Sequence, residues 1–245
     1  VGLISEKLKK NPPPLDKAEI DEALALLQWM SDNHFTFLGY REFEFSVDSK
    51  GKSDNWGQVE GSGLGILRDP TRRIMSGGKE MSPEVKDFLR RRELIIVTKA
   101  NVRSTVHRAV HLDYVGVKKF NDKGEVIGEC RFTGLFTSAA YNRIPRDIPY
   151  LRRKVSQTLE LSGLQKNSHD EKALAHILES YPRDELFQIS VEDLLENATK
   201  ILSLQERPRI GVLLRRDRFE RFVSAIVYIP REKFNTDIRQ KFGAL

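Results

Sequence analysis

Two histidine pairs, a cluster of glycines and a single cysteine are the residues of this chain whose types and spacing could support chemistry. His107 and His111 stand four apart with Asp113 close by, a spacing that gathers a metal ion on a helix. The flanking residues read as a β-strand, however, where a four-residue step is about 13 Å. Two imidazoles that far apart cannot share a zinc ion, whose ligands sit about 2 Å from the metal. A histidine hydrogen-bonded at a strand edge is therefore expected. His169 and His176 fall two turns apart on a helical segment with Glu179 nearby, and a solvated helix face accounts for them.

Gly61, Gly63 and Gly65 give GxGxG rather than the GxGxxG of a dinucleotide loop. The glycines lead into an aliphatic strand ending at Arg68, Asp69 and Pro70, so no helix N-terminus is available for a pyrophosphate. These glycines are expected to let backbones approach closely or to kink a strand. Cys130, the single cysteine, has no internal disulfide partner and reads as a reduced core thiol between Gly128 and Phe132. The chain contains no GxSxG, GxxxxGK[ST], HExxH or CxxC, so hydrolase, P-loop and zinc readings have no foothold. No catalytic, cofactor-binding or metal-ligating residue is expected.

Arginines carry the remaining signal. Arg215, Arg216, Arg218 and Arg221 are interleaved with Phe219 and Phe222, a mixture that stacks nucleic-acid bases or anchors protein interfaces. Asp217 and Glu220 break up the positive field, and no RNP-type motif is present. The net charge of +6 is the small difference between 41 basic and 35 acidic residues, which describes a mixed, solvated surface. Arg215, Arg216, Arg218, Arg221 and Phe222 are therefore candidate interface or docking residues. Two other basic clusters, Arg90 to Arg92 and Arg152 to Lys154, carry no nucleic-acid motif either, and arginine is also favoured at protein interfaces. Nucleic acid is not an expected partner. A membrane is not expected either, since no run of 18 apolar residues occurs and the opening ten residues, with three lysines, make neither a secretory signal nor a span. The cytoplasm is the expected compartment.

The elements that must position these residues are legible from periodicity. Hydrophobic residues at 39% and charged ones at 31% fit a compact fold. Pro12 to Pro14 exclude a helix, and Asp16 with Glu19 forms a capping pattern for a helix from Asp16 to Asp32, with Ile20, Ala23, Leu24, Leu27 and Met30 on one stripe. From Phe35 the period becomes two: Phe35, Phe37, Phe43 and Phe45 share one parity in a long strand, bulged near Gly39. A polar loop or hairpin over Asp48 to Gly61 precedes a short strand around Leu64 to Leu67. Ser82 and Pro83 open a helix to about Arg91, and Leu94 to Thr98 is a strand.

Between His111 and Thr137 two apolar runs flank the turn Asn121 to Gly124, predicting a β-hairpin. In its second strand Val126, Cys130, Phe132 and Phe136 should meet a core, and Glu125, Glu129, Arg131 and Thr133 should meet water. A helical stretch comes next, with Ile148, Leu151, Val155 and Leu159 in line as far as Gly163, then two helices capped by Ser168 and Ser190 and separated by Pro182. Pro208 marks a boundary. Beyond it, Ile210 to Leu214 and Phe222 to Ile229 read as two strands, the second apolar on both parities and so expected to be covered on both faces. Pro230 is expected to open a last helix carrying Phe234, Ile238 and Phe242. Two strands and a helix make a poor independent domain, so the polypeptide is expected to continue past Leu245.

Several stretches resemble the large bacterial NAD-dependent glutamate dehydrogenases: FTFLGYRE (Phe35 to Glu42), HRAVHLDYVGV (His107 to Val117), GLFTSAAYN (Gly134 to Asn142), PRDIPYLRRK (Pro145 to Lys154), YPRDELFQ (Tyr181 to Gln188), QERPR (Gln205 to Arg209) and RRDRFERFV (Arg215 to Val223). The resemblance runs from about Leu27 onward. It implies an α+β segment ahead of the dehydrogenase domain: an N-terminal helical region over 1–34, a PAS-like antiparallel β-sheet unit with flanking helices over 35–142, a helical connector over 143–206, and the start of an ACT-like ββα unit over 207–245. It also implies that NAD serves the parent enzyme while this segment holds no cofactor. No stretch of the chain matches the family's catalytic lysine, glutamate-binding residues or NAD loop, so the segment alone is expected to be inactive. Its expected partners are other domains of the same polypeptide, homo-oligomer subunits and a small-molecule effector. Rival readings are an amino-acid sensor domain and a nucleic-acid-binding module.

Overall fold

The computed structural model describes residues 1–47, 53–72, 82–206 and 209–243. Asp48 to Lys52 of the expected loop, Arg207 and the Pro208 boundary lie outside these. The chain divides into two compact units, Val1–Arg153 and Lys154–Leu245.

The first unit opens with helices α1 (Gly2–Lys10) and α2 (Lys17–Trp29). Asp16 caps α2 by accepting from the Ala18 amide at 3.4 Å. The expected capping partner Glu19 does something else, accepting from the distant Leu94 amide at 2.8 Å and so tying the helix to the sheet. The helix ends earlier than its stripe suggests. Met30–His34 forms a wider π-type turn in which Asn33 takes φ 65°, because here the chain must swing into a strand.

The strands are β1 (Phe35–Val47), β2 (Ser53–Gln58), the two-residue β3 (Leu64–Gly65), β4 (Ile95–Arg103), β5 (His111–Phe120) and β6 (Val126–Phe136), with helix α3 (Pro83–Arg90) ahead of β4. They form one antiparallel sheet in the order β2-β1-β6-β5-β4, with β3 paired to β1 off this path. Ser82 caps α3 by accepting from the Val85 amide at 3.3 Å. The turn between β5 and β6 is fixed by Asn121, whose Oδ1 accepts from the amides of Lys123 and Glu125 at 3.0 and 2.9 Å.

The register of β1 on β6 slips between Phe37 and Gly39. Shared parity therefore does not become a shared face. Phe35 and Phe37 lie with Phe132 and Phe136, ring centroids 5.0 to 5.6 Å apart. Phe43, beyond the bulge, lies on the opposite face with Trp56 and Arg131. Helix α2 meets the first face, its Trp29 ring 6.1 Å from Phe136, and α3 meets the second through Phe88 and Lys118. Gly65 explains the glycine cluster: at φ +58° any Cβ would stand 2.2 Å from the Leu38 carbonyl oxygen, so this crossing of β3 over the bulge excludes side chains.

A short helix α4 (Ser138–Asn142) and a 3-10 turn (Pro145–Asp147) lead into α5 (Leu151–Leu161). The second unit continues with α6 (His169–Ser180), α7 (Arg183–Gln188) and α8 (Val191–Glu206), and ends with β7 (Gly211–Arg216), β8 (Val223–Tyr228) and α9 (Thr236–Gly243). Ser168 and Ser190 cap α6 and α8, each accepting from the amide three residues on at 3.1 Å. The last helix starts later than expected: a 3-10 turn occupies Arg231–Lys233, and Asn235 caps α9 by accepting from the Ile238 amide at 2.9 Å, which leaves Phe234 outside it.

Candidate functional site

Two loci concentrate charge. The first is on the face of the sheet that was expected to meet water. Glu129 and Arg131 are 0% and 5% exposed, beside Arg41 at 3% and Lys118 at 2%. This corrects the sequence expectation for β6, whose polar parity is as buried as its apolar one. The reason is topological: β6 is the middle strand of five, and α3 together with the segment after β3 covers the face its sequence alternation assigns to solvent.

Three buried cations here meet one buried carboxylate among the described residues, and each cation has its own device. Arg41 donates to Gln58 Oε1 at 2.9 Å and to the carbonyls of Leu67, Asp69 (2.7 Å) and Arg72 (3.5 Å), pinning the segment after β3. Burial, and then the neighbouring Arg131 charge, lower its guanidinium from the ordinary arginine value. Lys118 donates to the carbonyls of Phe88 and Arg91, at the negative end of α3. Arg131 donates through Nε to Glu129 at 3.2 Å, with its guanidinium 3.8 Å from the Phe43 ring centre and 4.6 Å from that of Tyr114. The Tyr114 hydroxyl donates to the same carboxylate oxygen, and burial drives its ionisation well above the usual tyrosine range. Glu129 Oε2 and Thr133 Oγ1 are buried with no hydrogen-bond partner among the described residues.

On the opposite face Tyr40 donates to Glu42 Oε1 at 2.8 Å, and Lys119 bridges Glu42 and Glu44. Burial pulls Glu42 upward, but the hydrogen bonds from Lys119 and Tyr40 outweigh it and leave the carboxyl below its ordinary value. Cys130 lies beside this group; burial raises its thiol, as befits a core residue.

The second locus is the turn between β7 and β8, which gathers the five candidate docking residues. Arg215 makes a two-pronged contact with Glu185 on α7, Nη2 to Oε2 at 2.9 Å, with both side chains under a tenth exposed. Arg221 clasps Asp217 at 2.7 and 3.1 Å while lying 5.1 and 5.5 Å from the Phe219 and Phe222 ring centres. Arg216 is exposed and pairs with Glu220 at 3.0 Å. Arg218 is partly exposed and Phe222 exposed. Arg215 and Arg221 thus shape the turn, and Arg216, Arg218 and Phe222 form its outer surface.

The strand after this turn departs from expectation. No residue of β8 is fully buried, and the hairpin face formed by Val212 and Leu214 opposite Val227, Ala225 and Val223 is open, with Val212, Leu214 and Val223 at 53%, 66% and 62% exposure. Only the other face is closed, where Leu213 is 6% exposed. Inside the same unit, Lys154 is buried and donates to the carbonyls of Leu186, Phe187 and Ile189 at 2.7 to 3.1 Å, at the C-terminal end of α7.

The remaining sequence candidates do not converge. His107 is not on a strand but in the loop before β5, at φ 59°, and His111 Nδ1 lies 3.0 Å from the Ala100 carbonyl. His169 is exposed beside Asp170. No group of three metal-capable side chains occurs among the described residues, and no helix there is long and apolar enough to cross a membrane. The other basic clusters are held internally: Arg152 by Glu22, Arg153 by Asp16, Arg92 by the Pro14 carbonyl. Sequence reasoning missed the ionic group around Glu129. Its signal lay in β5, where Leu112, Tyr114 and Gly116 on one parity and Val115 and Val117 on the other leave no polar side for solvent.

Residues 148–207 match the family model described as glutamate dehydrogenase, helical motif 1, and residues 211–245 that of the glutamate dehydrogenase ACT2 domain. The chain is 37% identical over 243 residues to the NAD-specific glutamate dehydrogenase of Halomonas elongata, covering 99% of the chain and 15% of that protein. It is 40% identical over 227 residues to that of Pseudomonas aeruginosa (91% and 14%) and 31% identical over 228 residues to that of Mycobacterium tuberculosis (93% and 13%). The chain therefore spans about 15% or less of the length of the curated relatives it matches. The resemblance read from its motifs is borne out along nearly its whole length.

Proposed function

We propose that this chain, so closely similar to one stretch of the NAD-specific glutamate dehydrogenases, is a non-catalytic segment that builds and docks the assembly of such an enzyme. The parent reaction is oxidative deamination of L-glutamate to 2-oxoglutarate with NAD in the cytoplasm, and no residue here is assigned to substrate or cofactor. One observation carries the reading: the β7–β8 hairpin presents an open aliphatic face, with Leu214 66% exposed, beside a cationic turn. Contiguous apolar surface of this kind marks a contact with another protein element. In this proposal Arg216, Arg218 and Phe222 touch the partner, while Arg215 and Arg221 position the turn through Glu185 and Asp217. The partners are other domains of the same polypeptide and other subunits. The strand order β2-β1-β6-β5-β4 with helices on both faces supports a PAS-like unit over 35–142, joined by a helical connector over 143–206 to a partial ACT-like ββα unit over 207–245.

The test is a full-length enzyme carrying Leu214→Asp and Arg216→Ala. Loss of the normal sedimentation coefficient is expected, and unchanged assembly and turnover would sink the proposal. The 245-residue chain itself, given L-glutamate and NAD, is expected to produce no absorbance at the NADH wavelength.

A second reading, an effector-sensing β-unit, is favoured by the unpartnered Glu129 Oε2 and Thr133 Oγ1, since buried polar atoms without protein partners take up water or ligand. Thermal-shift screening against amino acids and nucleotides separates the two readings; no shift with any ligand leaves the structural role alone.

A further inference from the structure

A cleft of about 330 Å3 opens between the outer face of α8 and the start of β7. That size lies at the small end of ligand pockets, which begin near roughly 300 Å3. Lys200, Ser203 and Leu204 line one wall from a single helical face, and Arg209, Ile210 and Val212 line the other. The strand can run this close to the helix because residue 211 is glycine: a Cβ there would stand 2.4 Å from Leu204 Cδ1.

The lining has a definite chemical bias. Among the described residues it contains two cations and a hydroxyl, and no acidic residue. Lys200 is engaged by Glu196 at 2.5 Å, whereas Arg209 makes no hydrogen bond or ion pair among the described residues. Its guanidinium offers a flat pair of donors suited to a carboxylate. Ile210 and Leu204 supply aliphatic surface beside it. A phosphate would find donors but nothing to set against the aliphatic wall, and a cation would face the like charge of Arg209. We infer that this cleft binds a small organic carboxylate, its head on Arg209 and its carbon chain between Leu204 and Ile210.

The site goes beyond the docking reading, because it uses α8 and the start of β7, sharing Val212 with the open hairpin face but neither Leu214 nor the turn. Backbone amide chemical shifts of the 245-residue chain, recorded during titration with acetate, succinate and L-glutamate at constant ionic strength, test it. Expected is saturable movement confined to Lys200–Leu213 at millimolar ligand. Arg209→Gln should weaken that binding at least about tenfold, the loss of one charge-assisted hydrogen bond. Arg218→Gln, at the docking turn, should leave it unchanged. Gly211→Ala, whose Cβ would clash with the lining residue Leu204 and displace it, should also reduce it. Absence of saturable shifts with all three carboxylates, equal affinity in Arg209→Gln, or shifts spread over every surface cation would each overturn the inference. The docking reading would survive any of these, since it is tested at Leu214 and Arg216.

Discussion

Strands β6 and β8 relate polarity to burial in opposite ways. In β6 a glutamate and an arginine are sealed inside the first unit and served by a tyrosine, an aromatic ring and a neighbouring cation. In β8 a run of valine, alanine and isoleucine stands partly or largely open to solvent. Charge is closed in where aliphatic surface is left out. Coverage follows from a strand's place in its sheet: among the described residues β6 has two strands on each side and helices above and below, whereas β8 has a single partner and one packed face. It also separates two kinds of cost. Burying an ion pair is an internal desolvation problem solved by local partners, while an open aliphatic face is a problem only something outside the second unit's described residues can solve.

The largest effect expected of any single change tests the closed side of that contrast. Arg131→Ala leaves the buried Glu129 carboxylate without its cation and should lower unfolding stability by about 3–5 kcal/mol in urea titration. A loss under about 1 kcal/mol would mean that water reaches Glu129 and that the face is not sealed. Next, adjacent residues of β7 should behave unequally: Leu213→Ala should cost about 2–5 kcal/mol, and Leu214→Ala within about 0.5 kcal/mol. Equal losses would show the outer hairpin face to be covered within the chain itself.

A smaller effect is expected at high pH. Burial pushes the Tyr181 hydroxyl up to about 12, against an ordinary value of 10.0. A group whose folded pKa is raised gives stability that is fully present below pH 10 and declines as pH rises through about 12. Tyr181→Phe should therefore flatten the alkaline limb of the stability curve, and an unaltered limb would place Tyr181 in contact with water. Smallest in energy is Cys130, whose burial raises its thiol; a disulfide reagent should modify it far more slowly in the native chain than in urea. Rapid native labelling would show the β1–β6 face opening readily.

Much of this architecture was written in local residues. Ser82, Ser168 and Ser190 announced helices that their hydroxyls do cap, the turn at Asn121 announced the β5–β6 hairpin, and Gly39 announced the bulge. Consequences of non-local pairing could not be read the same way. The bulge sends Phe43 to the face opposite Phe35 although both occupy odd positions of one strand. Glu19 looked like a helix cap and instead holds the Leu94 amide across 75 residues. Alternation in β6 correctly named two faces but could not say that α3 would cover the polar one. Of the candidate docking group, the cluster at the turn was visible; the inward course of Arg215 depended on Glu185, thirty residues away, while Arg221 is held by Asp217 within the turn itself.

Both tryptophans of the chain, Trp29 and Trp56, lie in the first unit, the one stacked 4.3 Å from the His34 ring and the other 5.8 Å from Phe43. The molecule thus carries its own optical label on one side only. Indole emission reports melting of the sheet unit, while the helical unit, whose aromatic residues are tyrosine and phenylalanine, stays dark at those wavelengths and must be followed by circular dichroism. Where the two signals part company during denaturation, the halves come undone independently; where they coincide, the chain fails as one.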